Sequence, residues 1–311
     1  MPLVTIIVPA YNAGLTIYDC IISCISQTYS NIEIIIVDDS STDNTADIVY
    51  ECALKFKNIK YIKNSKSGVT DARNLGLDCA LGEYIFFLDA DDMLPKNSIQ
   101  DLYDCLVNKQ AKAATGTVIH EDENGAVITH ICYDSLSEIT GFLWLQEIRK
   151  RWCGHIWGIL FHRSLFNQKA HCPSNLRIGE DLLQLAQIAT KCDKIAITNA
   201  IVYRYIKHRG SVINSRVFNQ NNAIIDEDIF AEEILRLAET CEVSVRTEYR
   251  LLAIYAILNI PDLKVRGELI NKYKTRFLKF LVFDYGIISE LISISFKLYL
   301  GVVFSLLNIK S

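Results

Sequence analysis

Tyr84-Ile85-Phe86-Phe87-Leu88-Asp89-Ala90-Asp91-Asp92 runs five apolar or aromatic residues straight into a stretch with three carboxylates in four positions. A short apolar run bounded by polar residues reads as a strand buried on both faces, the kind a parallel sheet uses. Three further strands are expected upstream, at Val4–Val8, Ile32–Val37 and Lys60–Ile62. Between them, Ile17, Ile21 and Ile25, then Ile48, Cys52 and Phe56, then Ala72, Gly76 and Ala80 recur four apart, and each set marks one helix face. This alternation is the rhythm of β-α-β units around a mostly parallel sheet. Every strand also ends in a polar cluster: Pro9-Ala10-Tyr11-Asn12, Asp38 through Asp43, Asn64 through Gly68, and Asp89 through Asp92. Ligands of open α/β sheets bind at the carboxyl ends of the strands, so topology alone places a pocket there.

Beyond Pro95 the pattern becomes mixed. A helix is expected over 96–109, followed by strands at Ala113–His120 and Ala126–Tyr133 that flank the hairpin dipeptide Asn124-Gly125. A helix near 139–150, an aromatic segment from Trp152 to Phe166, a helix opening at Asp181 and a strand over Ile195–Tyr203 complete an α/β domain spanning 1–215. Residues 216–311 read as helical. Within them, Lys264–Lys279 sets six basic side chains against Glu268 alone, and Phe280–Ile309 is mostly apolar. The longest charge-free run there, Leu298–Ile309, has 12 residues, short of the roughly 20 a bilayer requires. Two readings stand side by side: a peripheral contact of 264–309 with the inner face of the cytoplasmic membrane, and ordinary packing on the domain or on a second copy in a homo-oligomer.

Composition narrows the function classes. The chain has 311 residues, is 50% hydrophobic and 22% charged, and carries a net charge of −4. That balance gives no global attraction toward nucleic acid, and none is expected as a partner. Ten cysteines lie scattered without a Cys-x-x-Cys pair, which reads as buried thiols in a reducing cytoplasm. The opening Met1-Pro2-Leu3 runs directly into a strand, so no secretory leader is expected.

Asp89, Asp91 and Asp92 form a density of hard oxygen ligands suited to Mg²⁺ or Mn²⁺, which hold one or two protein carboxylates while phosphate fills more of the shell. Asp residues capping the next helix are the alternative. Asp43 is expected to cap the helix beginning near Asn44, leaving Asp39 for a ligand. No Gly-x-Gly-x-x-Gly or Gly-Lys-Ser follows the first strand, which removes the main support for a dehydrogenase or P-loop enzyme.

The ordered set Val8-Pro9-Ala10-Tyr11-Asn12, Ser26-Gln27-Thr28-Tyr29, Val37 through Asp43, Gly68-Val69 with Ala72-Arg73-Asn74-Leu75-Gly76, and Asp89-Ala90-Asp91-Asp92 resembles the family 2 glycosyltransferases of GT-A fold, bacterial surface-glycan type. The resemblance covers about the first 110 residues motif by motif, and two later signatures extend it to about residue 211. It implies a Rossmann-like nucleotide-sugar-binding half over 1–110 and an acceptor-binding half over 111–215, sharing a mixed central sheet and followed by the helical C-terminal region. Pro9, Tyr11 and Asp39 would surround the base and ribose, Arg73 would reach the base or diphosphate, Asp89 would help hold the donor, and Asp91 would ligate Mn²⁺ or Mg²⁺. In Gly179-Glu180-Asp181, Asp181 would be the general base of an inverting displacement, with Glu180 beside the acceptor. Tyr203 through Ser211 resembles the segment that closes over the diphosphate, with Arg209 and Ser211 as donor contacts and His208 as a metal, phosphate or acceptor contact or a solvated loop residue. Trp157 is a candidate acceptor platform or a core tryptophan, and Ile159 stands where many relatives carry Lys.

The resemblance implies transfer of a hexosyl or N-acetylhexosaminyl group from a nucleotide sugar, UDP foremost, to a hydroxyl of a growing capsule, O-antigen or lipooligosaccharide chain, on a lipid carrier at the cytoplasmic face. A non-catalytic scaffold that binds nucleotide sugars is the alternative and would be expected to lack Asp91 or Asp181; both are present. A nucleotidyltransferase would want a basic, glycine-rich loop after the first strand, whereas residues 9–16 hold one Gly and no Lys or Arg.

Overall fold

The computed structural model describes residues 1–65, 68–132, 136–151, 154–166, 172–174, 176, 179–189, 191–208, 220–239, 241, 249–253, 257 and 266–273, with the side chains of 148–151 and 220–227 left aside. The chain divides into two compact units, Met1–Val217 and Phe218–Ser311.

In the first unit, β1 (Val4–Ala10), β2 (Ile32–Asp38), β3 (Ile59–Lys63) and β4 (Tyr84–Phe87) form a parallel set in the order β3-β2-β1-β4. Seven register pairs, from Val4 opposite Ile32 to Ala10 opposite Asp38, align β1 with β2, and Val4 stands opposite Tyr84 in β4. All three central strands therefore finish at one edge. β1 is buried along its whole length because helices cover both faces, and that explains its unbroken apolar run. Val4, Ile6 and Val8 pack in one core with Ile17, Cys20 and Ile21 of α1 (Ile17–Ile25) and Val49 and Cys52 of α2 (Thr45–Lys55).

On the opposite face lies α3 (Val69–Cys79). A Cβ on Gly76 would stand 2.4 Å from Ile7 Cγ2 and 3.4 Å from Val37 Cγ2, so this helix reaches its depth against the sheet because residue 76 has no side chain. The glycine thereby sets where the rest of α3, including Arg73, meets the strand ends.

The second half of the unit extends the same sheet. After α4 (Ser98–Lys109), β5 (Ala113–Asp122) pairs with β6 (Val127–Ile131) through the expected hairpin. Beyond β7 (Glu138–Ile139) and α5 (Gly141–Arg151), β8 (Ile159–His162) inserts antiparallel between β4 and β5. α6 (Glu180–Ala189) then leads to β9 (Ile195–Lys207), parallel to β5, and the sheet order closes as β3-β2-β1-β4-β8-β5-β9-β7. The result is a mixed nine-stranded sheet and an α/β fold. The aromatic segment contributes one short strand, β8, and α6 opens one residue earlier than expected, at Glu180.

In the second unit, the helix Gln220–Glu239 buries Phe230, Ala231, Ile234, Leu235 and Ala238 on one stripe, as helical spacing requires. Lys272, from the basic stretch, donates to both carboxylate oxygens of Asp228 at 2.6 and 2.7 Å, and the Tyr273 hydroxyl donates to Oδ1 of the same residue at 2.7 Å. Most of 264–309 lies outside the described residues. Among the described residues no helix is long and apolar enough to cross a membrane.

Gly76→Val tests how α3 is seated. It is expected to cost about 1–3 kcal/mol of unfolding free energy through overpacking against Ile7. A urea-denaturation midpoint equal to that of the parent chain would contradict this.

Candidate active site

The strand-end loops are fastened to one another before any ligand is considered. Asn12, with φ 48°, accepts from Thr42 N–H at 2.8 Å, while its own N–H donates to Ser41 Oγ at 2.9 Å. Asp43 accepts from Gly14 N–H at 2.9 Å and Thr45 N–H at 3.0 Å, so it fastens the start of α2 from one residue before the cap position, Asn44, whose side chain makes no capping bond. Asp39, only 9% exposed, is not left free: Asn64 Nδ2 donates to Oδ1 at 2.8 Å, and Gly68 N–H donates to the two oxygens at 3.0 and 2.8 Å. That carboxylate holds the β3–α3 turn, where Gly68 takes φ 136°, a conformation favouring glycine. Pro9 lies in buried β1, and the Tyr11 ring is 62% exposed beside it.

Asp89, Asp91 and Asp92 follow three different paths. Asp92 is fully buried: the Tyr203 hydroxyl donates to Oδ2 at 2.7 Å and Ile206 N–H donates to Oδ1 at 2.8 Å. Tyr203 oxygen accepts in turn from Asp89 N–H at 3.2 Å, so one hydroxyl joins β9 to the acidic turn. Burial, with Asp89 and Asp91 adding to it, drives Asp92 well above the usual carboxylate range. Asp91 is also pushed up, by burial first and by Asp89 next, with His208 opposing. Asp89 turns to Arg73, whose Nη2 is 3.2 Å from its Oδ1.

Arg73 does not point only at a donor position. It is 5% exposed, and its Nη1 donates to Glu180 Oε1 at 3.2 Å and to Asp181 Oδ1 at 2.5 Å. Burial alone would lower the guanidinium, but Asp181, Asp89 and Glu180 outweigh it and hold it charged. The acids reach Arg73 because α3 also anchors the chain leading to α6: Thr70 Oγ1 donates to Leu176 O at 2.6 Å and Asn74 Nδ2 to Cys172 O at 3.0 Å. Residues 70, 73 and 74 share one helix face. Asp181, in the first turn of α6, is raised by burial, and Arg73 opposes that rise. Ile156 N–H donates to its Oδ2 at 3.5 Å.

Trp157 belongs to the core, with its ring between those of His155 (4.4 Å between centroids, 12° between planes) and Tyr203 (4.5 Å, 17°). At 6% exposure it is not an open sugar platform; the half-buried His155 caps the stack instead. Burial lowers the His155 pKa, and Asp89 opposes this, while Arg73 lowers it further. The sequence reading missed this histidine, because residues 154–158 precede β8 in irregular backbone and carry no periodicity that would pair its ring with Trp157.

Asp91, Asp89 and His208, whose Nε2 lies 3.2 Å from the Asp91 carbonyl oxygen, gather at one end of the sheet. No group of three or more His, Cys, Asp or Glu able to hold a metal stands together among the described residues. Asp91, a hard oxygen donor whose ionisation is disfavoured by burial, fits a divalent cation that takes its remaining ligands from phosphate and water. Arg209 and Ser211 lie outside the described residues.

Comparison with known proteins identifies the family. The model for glycosyl transferase family 2 matches residues 5–171, just over half of the chain, and the chain belongs to that family. It is 32% identical to glycosyltransferase GlyA of Streptococcus pneumoniae over 76% of this chain and 34% of GlyA, and 30% identical to GlyG of the same organism over 75% and 79%. It spans about a third of GlyA and about four-fifths of GlyG. A segment covering 30% of this chain is 54% identical to 36% of Escherichia coli WfaP, a UDP-Glc:alpha-D-GlcNAc-diphosphoundecaprenol beta-1,3-glucosyltransferase. Residues 1–349 of Staphylococcus aureus TarS in complex with UDP-GlcNAc superpose with TM-score 0.70 at 21% identity over 88% of this chain and 80% of that one. A mannosyltransferase of Pyrobaculum calidifontis in complex with GDP-Man and Mn²⁺ gives 0.56 at 16% identity over 99% and 88%. The fold is GT-A.

Tyr203→Phe removes the hydroxyl shared by Asp92 and Asp89 N–H. It is expected to cost about 1–3 kcal/mol of unfolding free energy, read by urea denaturation, because Asp92 Oδ2 loses its buried donor. An unchanged midpoint would show that this link contributes nothing.

Proposed function

We propose that this chain moves a hexosyl or N-acetylhexosaminyl group from a UDP-sugar to a hydroxyl of a lipid-linked surface glycan, with inversion at the anomeric carbon. The observation that carries the reading is the placement of Asp181: a buried carboxylate opening α6, joined through one arginine to the acidic turn that ends β4. The printed activity of WfaP and the UDP-GlcNAc held by TarS support the donor class, and the acceptor named for WfaP supports a diphospholipid-linked glycan.

In this reading the exposed Tyr11 ring and the end of β1 at Pro9 receive the base, with Asp39 shaping the ribose side through the turn it holds. Asp89 faces the sugar and diphosphate, and the family resemblance adds Arg209 and Ser211 as donor contacts and His208 as a contact beside Asp91. Asp91 would hold Mn²⁺ or Mg²⁺, which when bound offsets the charge gathering on the departing diphosphate. Asp181 takes the proton from the acceptor hydroxyl as its oxygen bonds to the anomeric carbon and the bond to phosphate breaks. Burial raises its affinity for that proton, and the Arg73 charge opposes the rise and favours the carboxylate a base needs. Glu180 is assigned to the acceptor beside Asp181, together with the His155 ring, which stacks on Trp157. The chain acts at the cytoplasmic face, where 264–309 meets the membrane surface.

Transfer from UDP-Glc and UDP-GlcNAc to a synthetic GlcNAc-diphospholipid, followed by mass spectrometry, tests the assignment. Asp181→Asn is expected to lower kcat by roughly 10²–10⁴-fold with UDP affinity little changed. A variant turning over at the parent rate would remove Asp181 from the role of base. Asp91→Ala is expected to weaken Mn²⁺-dependent UDP binding itself, and titration curves unchanged from the parent would exclude Asp91 as the ligand.

A further inference from the structure

Arg73 carries more than a donor contact requires. Its guanidinium is the one cation in direct contact with three carboxylates among the described residues of the site, and it meets them with two nitrogens: Nη2 for Asp89, Nη1 for Glu180 and Asp181. The Nε–H is buried without a hydrogen-bond partner. A planar fork fixed at three points cannot turn toward another ligand without releasing an acid, so its orientation and that of Asp181 are set together. Asp89 and Arg73 come from the first half of the domain, and Glu180 and Asp181 lie more than a hundred residues from Arg73 in sequence.

We propose that Arg73 is a positioning residue for Asp181: it fixes the direction of that carboxylate at the start of α6 and favours its charged form, while its second amino group ties this setting to Asp89 on the donor side. The inference rests on Asp181 being the base. The groups around Asp181 are Arg73 from α3, Asp89 from the turn after β4, Glu180 on its own helix and the Ile156 N–H ahead of β8; His155, beside Ile156, interacts with Asp89 and Arg73. Arg73 alone among them brings a fixed positive charge. Burial and Asp89 both favour the neutral acid, so without Arg73 the Asp181 carboxyl holds its proton to higher pH and is lost as a base in that range.

The full chain labelled with carboxyl-¹³C aspartate and titrated by NMR reads this without substrate, Asp181→Asn identifying the signal. In Arg73→Gln the Asp181 midpoint is expected to rise by about 1–3 pH units, and in Arg73→Lys, which keeps the charge, to stay within about one unit of the parent. A midpoint in Arg73→Gln equal to that of the parent overturns the inference, since the arginine charge would then have no hold on Asp181. If Arg73→Gln does not fold, Arg73→Gln/Asp181→Asn decides: recovery of a cooperative urea transition supports the pairing, and no recovery overturns it. Parent-level turnover in Asp181→Asn would dispose of the base assignment separately, whatever the titration shows.

Discussion

One buried guanidinium and the acids around it set the terms for the rest of the site. Charges removed from water are tolerated only with close, well-aligned partners, and a single Arg73 serves Asp89, Glu180 and Asp181 at once. That demand reaches back into the fold. α3 must lie tight on β1 and β2, which Gly76 permits, and the chain entering α6 must be held against α3, which Thr70 and Asn74 do through backbone carbonyls. The parallel register of β1, β2 and β4 then delivers the other strand ends to the same edge.

Within the acidic turn, three residues of one type take three roles by environment alone. Asp92 is walled in and hydrogen-bonded by β9, Asp89 is paired with Arg73, and Asp91 is left with its charge disfavoured by burial and by its neighbour. A carboxylate fully spent on the fold is poorly placed to coordinate a metal; one with an unmet electrostatic demand is well placed. The stack of His155, Trp157 and Tyr203 rings connects the turn to the second half, since the same Tyr203 hydroxyl anchors Asp92.

Most of the scaffold was legible in the sequence. Apolar runs marked β1, β2 and β4, the Asn124-Gly125 turn marked the β5–β6 hairpin, and polar strand ends marked the site edge. The insertion of β8 between β4 and β5 was not legible, because an apolar strand carries no statement of its neighbours. The partners of Arg73 were hidden for the same reason: its residue type promised an anion, and only the folded chain brings Glu180 and Asp181 to it. Trp157 illustrates a different limit. A large aromatic near a site serves equally as core or as platform by composition, and burial beneath His155 decides between them. Asp39 was assigned by elimination once Asp43 capped α2, but backbone N–H groups of a neighbouring turn are demands that elimination does not see.

The central claim is that this strand-end edge binds a nucleoside diphosphate together with a divalent cation. Calorimetric titration of the full chain with UDP, GDP, CDP and dTDP, each with Mn²⁺ and with EDTA, tests it most directly. The account predicts that UDP binds with Mn²⁺ and binds far more weakly with EDTA, and that UDP at 100 times its Kd adds about 2.7 kcal/mol of stability. No binding of any diphosphate under either condition would contradict it and would leave the acidic turn and Arg73 as a structural charge cluster.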